Sequence, residues 1–269
     1  MTARQVTLSL IKSAHPLPTA AVTVLTVGLV VGAGGAWVDG LVVVFAVFAG
    51  QLVIGWSNDL IDTERDRAVG RADKPLAQGD VGVRSVRVAS IVAAAVTVIT
   101  SLLASLPAAA LHLSLGVGSG LAYNFWLKRT AWSWLPYALA FGVLPAVAWL
   151  GMGAGMPPYW MMIVGALLGV GAHLLNVLPD LADDEAMGVR GLPHRIGEAR
   201  TRLLAALLLF EGSVIVVFAP PALPVMWSAA VLLASAVLAV IAWKGSGKTP
   251  FVAAIALAVL NVIMLIIRG

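Results

Sequence analysis

Two short stretches of the chain carry carboxylates at a helical spacing. Asn58, Asp62 and Asp66 stand at i, i+4 and i+8, and so do Asn176, Asp180 and Asp184. On a continuous α-helix that spacing lines three side chains along one face. Like charges so placed repel each other, and carboxylates beside hydrocarbon are costly. Two such faces make physical sense if something strongly cationic lies between them. Hard oxygen donors, in a chain with no Cys and four His, suit Mg2+. Mg2+ takes one or two carboxylates from a protein and its other oxygens from waters and a phosphate-bearing substrate. Basic residues stand close by: Arg71 and Lys74 after the first cluster, Arg190 and Arg195 after the second, with Lys128 and Arg129 between them. Carboxylates hold the metal, and Arg and Lys hold the remaining phosphate oxygens. The pattern is that of a diphosphate site.

The elements that must position these residues belong in a bilayer. Of 269 residues 60% are hydrophobic and 11% charged, and the mean hydropathy is +0.97. A soluble domain has about 25% charged residues. This composition excludes a secreted domain, a disordered chain and a nucleic-acid partner, and the lack of Cys excludes disulfides, Fe–S clusters and a cysteine nucleophile.

Charge-free runs cover residues 13–38, 40–58, 88–127, 130–179 and 249–267, and 203–243 contains one charge, Glu211. A span needs about 20 apolar residues, so the three longest runs each fold back once. Turn residues stand where this is needed: Leu106-Pro107, Gly151 to Pro158, and Pro220-Pro221 to Pro224. The reading is nine membrane helices, near 17–37, 40–58, 86–105, 108–125, 133–150, 159–180, 202–219, 224–243 and 250–267. The first apolar run is of spanning length and has no A-x-A cleavage site, so it reads as a helix rather than a cleaved signal peptide. One membrane domain over residues 1–269 is expected, with no soluble appendage.

Orientation follows from Lys and Arg. With a cytoplasmic N-terminus and an external C-terminus, 16 of the 17 basic residues fall on the cytoplasmic side, and Arg268 alone falls outside. Acids share the bias: six of 13 lie between Asp59 and Asp80, and five between Asp180 and Glu198. The chemistry is expected on the cytoplasmic face. Helices two and six are four helices apart, so the two acid clusters emerge on the same side, as two four-helix pseudo-repeats plus a ninth helix would place them.

Other residues carry weaker signals. Asp59 points about 100° away from the Asn58 face and ranks below its neighbours. Tyr123 and Trp56 could stabilise a carbocation through their ring faces, although Trp56 equally suits an interfacial position. Glu211 lies mid-membrane, where an acid is a functional candidate or a structural pair. His173 stands one turn from Asn176 on the same face, and is either a substrate contact or a core histidine. His112 reads as structural, His194 as a residue that helps close the second cluster, and Asn124 as a helix cap.

These residues resemble the UbiA superfamily of intramembrane prenyltransferases. NDLIDTERD (58–66) matches its first Asp-rich motif, NDxxDxxxD. RADKPLAQGDV (71–81) is similar to the basic stretch that follows, and YNFWLKR (123–129) to the Tyr…Leu-Lys-Arg segment. Asp180 and Asp184 match the second motif, DxxxD. The resemblance implies an all-α membrane bundle that transfers an isoprenoid chain from its diphosphate to an aromatic or lipid acceptor, with Mg2+ as cofactor. By position it makes Asn58, Asp62, Asp66, Asp180 and Asp184 metal–diphosphate residues, with the four Asp catalytic. It makes Arg71, Lys74, Lys128 and Arg129 diphosphate contacts, and Tyr123 and Asn176 join them as substrate-binding candidates.

Three other readings compete. A UbiA-type terpene cyclase shares the first step, and no motif separates it from a transferase. Phosphoribosyl transfer to a polyprenyl phosphate is a third possibility within the resemblance. A cation transporter should carry charges near the midplane, whereas here only Glu211 is deep.

Overall fold

The computed structural model describes residues 3–219 and 224–268. Among them there are helices and connecting turns and no strand. An amphipathic helix, α1 (Ala3–Ser13), leads through His15 into α2 (Pro16–Ala33). Then come α3 (Trp37–Ala68), a one-turn α4 (Pro75–Gln78) and α5 (Val83–Ala104). The stretch 106–125 is helical throughout, as α6 (Leu106–Leu111), a π-helical segment over His112–Val117, and α7 (Gly118–Phe125). Next are α8 (Leu135–Gly151), α9 (Tyr159–Val177), and the short α10 (Leu181–Ala186) and α11 (Leu192–Ile196). The chain ends in α12 (Glu198–Phe218), α13 (Val225–Lys244) and α14 (Thr249–Arg268).

Each of the nine stretches expected to cross a membrane is helical over most of its length, although the first overruns the break at residues 34–36 and the fifth begins in a turn. Six helices reach spanning length and hydropathy, α8 is a shorter apolar helix, and α14 is apolar over Thr249–Met264. The expected break at Leu106-Pro107 is a true helix start: the Ser105 Oγ accepts a hydrogen bond from the Ala108 amide and Pro107 stands in the first turn. Residues 152–158 form the second expected turn. The third, at Pro220-Pro221, lies outside the described residues.

The outside of the bundle is apolar. Val31, Leu41, Ile91, Leu103, Leu207 and Val237 are exposed, a surface suited to hydrocarbon rather than water. Inside, α3 packs on α5 and α2, and α9 packs on α8 and α12, so the two helices that lead to the acid clusters are both central.

Two close approaches set the geometry of the site. A Cβ on Gly55 would stand 2.7 Å from the Ala14 carbonyl oxygen, so glycine lets the α1–α2 elbow rest on α3. A Cβ on Gly169 would stand 2.6 Å from both Phe141 Cβ and the Tyr137 carbonyl oxygen. That contact seats α8 against α9, the small-residue packing common between membrane helices.

Candidate active site

The first acid cluster is a continuous helical face. The helix α3 runs unbroken to Ala68, and Asp59, Asp62 and Asp66 on it are all buried. The second cluster is not continuous. Pro179 has no amide to donate to the preceding turn, and a 3-10 turn over Leu178–Asp180 separates α9 from α10. The i, i+4, i+8 face expected for Asn176, Asp180 and Asp184 is therefore re-aimed partway along. Asp180 and Asp184 stay half-buried while Asn176 is exposed.

Arginines join the clusters. Arg65 Nη2 donates to Asp62 Oδ2 at 3.1 Å and lies 3.8 Å from Asp184 Oδ1, while its Nε lies 3.9 Å from Asp66 Oδ1. Arg71 makes a second link: its Nε and Nη2 each donate to Asp73 at 2.9 Å, and its Nη1 is 3.1 Å from Asp180 Oδ1. The forked contact with Arg71 holds the Asp73 carboxyl at about 2, and raises the guanidinium in turn.

Lys128 reaches Asp62 from the other side. It sits in a 3-10 turn after α7, and its Nζ donates to Asp62 Oδ1 at 2.5 Å and Oδ2 at 2.7 Å. Burial lowers the pKa of this ammonium and Asp62 opposes the shift.

Lys74 pairs with Asp59 and is near enough to Asp66 to oppose the upward pKa shift that burial gives that carboxyl. Its Nζ donates to Asp59 Oδ1 at 2.7 Å and lies 3.1 Å from His15 Nε2, and His15 Nε2 is itself 2.9 Å from Asp59 Oδ1. His15 has φ 53°, a left-handed conformation that is uncommon outside glycine. It ends the α1–α2 elbow with the ring against α3.

Asn58 points toward α7, where its Nδ2 donates to Asn124 Oδ1 at 3.2 Å; Asn124 Nδ2 in turn donates to the Ile54 carbonyl and Ser57 Oγ. Asn124 thus ties α7 to α3. Arg129 is exposed and makes no ion pair among the described residues.

Tyr123 belongs to an aromatic group behind the charges. Its ring centroid lies 5.2 Å from that of Tyr137, edge-on, and 5.6 Å from that of His173, with Tyr137 and His173 at 4.5 Å. His173 is fully buried, and its Nε2 is 3.1 Å from Ser133 Oγ, which accepts the Leu192 amide at 2.9 Å. His112 pairs with Ser101 Oγ at 2.8 Å, and Glu211 is exposed on α12. The His194 side chain is buried 3.8 Å from Asp184 Oδ2.

Arg65, His15 and Tyr137 are site residues that the sequence reading did not select. Arg65 stands one turn from Asp62 and beside Asp66, so the helical period held the signal. His15 lies 44 residues from Asp59, and no local pattern reports it.

Among the described residues no three His, Asp or Glu side chains converge into a ready metal cage. Mg2+ rarely requires one, because waters and substrate phosphates complete its shell. Asp66 and Asp184 have ion-pair contacts only at 3.8–3.9 Å, longer than a hydrogen bond. Their oxygens are open to a harder cation, so the donor set fits.

Apolar helices with acids and bases gathered at one end mark an integral membrane protein with a charged site. The model of the UbiA prenyltransferase family matches residues 18–266, and the chain belongs to that family. It is similar to the digeranylgeranylglyceryl phosphate synthase of Methanopyrus kandleri, 29% identical over 243 residues, covering 82% of this chain and 86% of that one. Among solved structures it resembles a UbiA homolog from Archaeoglobus fulgidus bound to GPP and Mg2+, with a TM-score of 0.72 at 15% identity over 97% of this chain and 100% of that one. It also resembles the apo structure of a UbiA homolog from Aeropyrum pernix K1, with a TM-score of 0.75 at 16% identity over 91% of this chain and 97% of that one. These two likenesses show the fold.

Proposed function

We propose that this protein transfers a prenyl group from an isoprenyl diphosphate to a lipophilic acceptor, releasing diphosphate, with Mg2+ as cofactor. The observation that carries the reading is the position of Arg65. One guanidinium lies within 4 Å of Asp62, Asp66 and Asp184, so the two acid clusters are close enough to serve one ligand. The neighbours with GPP and Mg2+ or DMAPP and Mg2+ support the choice of ligands.

Asn58, Asp62, Asp66, Asp180 and Asp184 would hold the metal. When bound there, Mg2+ supplies positive charge against which the negative charge of a departing diphosphate can develop. Lys128, Arg71 and Arg65 add charge-assisted donors to the phosphate oxygens. These groups now neutralise carboxylates, and metal arrival would release them for the substrate. The prenyl carbon carries growing positive charge as the diphosphate leaves. Tyr123 and Tyr137 offer ring faces next to it, and the packed helices keep water away. Lys74, held by Asp59 and close to Asp66, adds positive charge for the phosphate oxygens, and Arg129 contacts substrate only if its exposed side chain swings inward.

The membrane arrangement belongs to the same proposal: one domain of nine crossings in two four-helix repeats plus a ninth helix. The N-terminus is cytoplasmic, the C-terminus external and the acid clusters cytoplasmic. The Methanopyrus kandleri relative favours a glyceryl phosphate lipid over an aromatic acceptor.

The test is mass spectrometry of products from purified protein given Mg2+, prenyl diphosphates and a panel of lipid and aromatic acceptors. A prenylated acceptor with stoichiometric diphosphate supports transfer. Cyclic hydrocarbon formed without any acceptor would make the protein a cyclase instead.

A further inference from the structure

A second cavity lies away from the acids, and one buried side chain in its wall has nothing to bind. The cleft has an empty volume of about 510 Å3, mouth included, between α2, α8, α9, α12 and α14, and its lining is apolar apart from Asn261 and the indole nitrogen of Trp160. Asn261 is 3% exposed. Neither its Oδ1 nor its Nδ2 has a hydrogen-bond partner. Leu168, which also lines the cleft, precedes Asp180 by twelve residues, at least ~18 Å along a helix axis, so this is not the diphosphate site.

A buried amide without partners costs free energy, since it has left water and gained nothing in return. Apolar residues of similar shape would remove the cost. Pro145, in the same wall, adds polarity by lacking the amide that would bond the Phe141 carbonyl in a regular helix. Binding pockets have this composition: apolar walls with a few placed polar groups that orient the guest.

We propose that this cleft binds an uncharged lipid alcohol, with its hydroxyl on the Asn261 amide and its chain along the apolar wall. The chemistry selects the class. A carboxamide presents an acceptor and a donor side by side, and a hydroxyl both donates and accepts through one atom, so it satisfies both. A ketone or ester could only accept. A charged headgroup would find no counter-ion there, because the lining contains no ionisable residue.

The test uses the full-length protein in lipid nanodiscs, titrated with 1-tetradecanol or with tetradecane while thermal unfolding is followed. Tetradecanol is expected to raise the unfolding temperature by several degrees and tetradecane to leave it unchanged. Asn261→Leu should weaken the apparent affinity for the alcohol at least tenfold without loss of diphosphate release. Equal protection by both compounds, protection by neither, or unchanged affinity in Asn261→Leu would overturn the proposal; the amide would then be hydrated or merely tolerated. Photolabelling of the wild-type protein with a diazirine analogue of tetradecanol gives a readout independent of variant folding. Labels on peptides around residues 160–168 and 261–262 support the site, and labels confined to the outer surface contradict it.

Discussion

Lys128 and Asp62 form a closed pair 66 residues apart in sequence, with the ammonium 2.5 and 2.7 Å from the two carboxylate oxygens and both side chains about 95% shielded. Such a pair is held by the surrounding packing, and its net contribution is small because desolvation offsets the attraction. Removing one partner is different, since the other is left charged and buried. Lys128→Met should destabilise the protein by about 3 kcal/mol, the low end for broken buried pairs, because Arg65 still touches Asp62. The double variant Lys128→Met/Asp62→Leu should recover most of that stability and remain inactive. Unfolding in micelles measures the first expectation and diphosphate release the second.

Arg65 spans both clusters, so its fork matters as well as its charge. Arg65→Lys keeps a cation but loses the planar donors that reach two carboxylates at once. The apparent KM for prenyl diphosphate should rise at least tenfold, about 1.4 kcal/mol. Steady-state kinetics in nanodiscs checks this. An unchanged KM would remove Arg65 from the site.

Arg71 offers a contrast. Its partners Asp73 and Asp180 are 64% and 42% exposed, and exposed pairs contribute about 0–1 kcal/mol. Arg71→Ala should leave the unfolding midpoint nearly unchanged while weakening prenyl diphosphate binding. Loss of stability with normal binding would reverse the assignment.

His15 tests the elbow between α1 and α2. Removing its ring takes one of two partners from the buried Asp59, which should cost about 1–3 kcal/mol. Lys74 remains to neutralise the acid, so turnover in His15→Ala should fall far less than in Asp62→Ala. The two rates, measured side by side at equal protein content, decide it.

The helical period made much of this site legible. Asp62 and Asp66 could be placed on one face from spacing alone, because α3 continues unbroken past the last of them. The same rule misjudged the second cluster at Pro179, where a missing amide ended the regular helix. Charge-free runs located the helices because hydrocarbon tolerates little else. Partner choice was not legible. Lys74 has Asp73 beside it and Asp66 eight positions before it, yet it pairs with Asp59, and only the packing of Gly55 under Ala14 brings His15 there to join it. Tyr137 likewise gained its place beside Tyr123 and His173 from the Gly169 contact between α8 and α9.

The most direct measurement is equilibrium binding of a radiolabelled prenyl diphosphate, with Mg2+ or with EDTA, to the wild type and to Asp62→Ala and Asp180→Ala. The expected result is saturable binding that needs Mg2+ in the wild type and falls at least a hundredfold in each variant, with both variants still folded. Normal Mg2+-dependent binding by either one would mean that its helix end does not grip the metal-diphosphate, and that the two acid tips do not share one ligand.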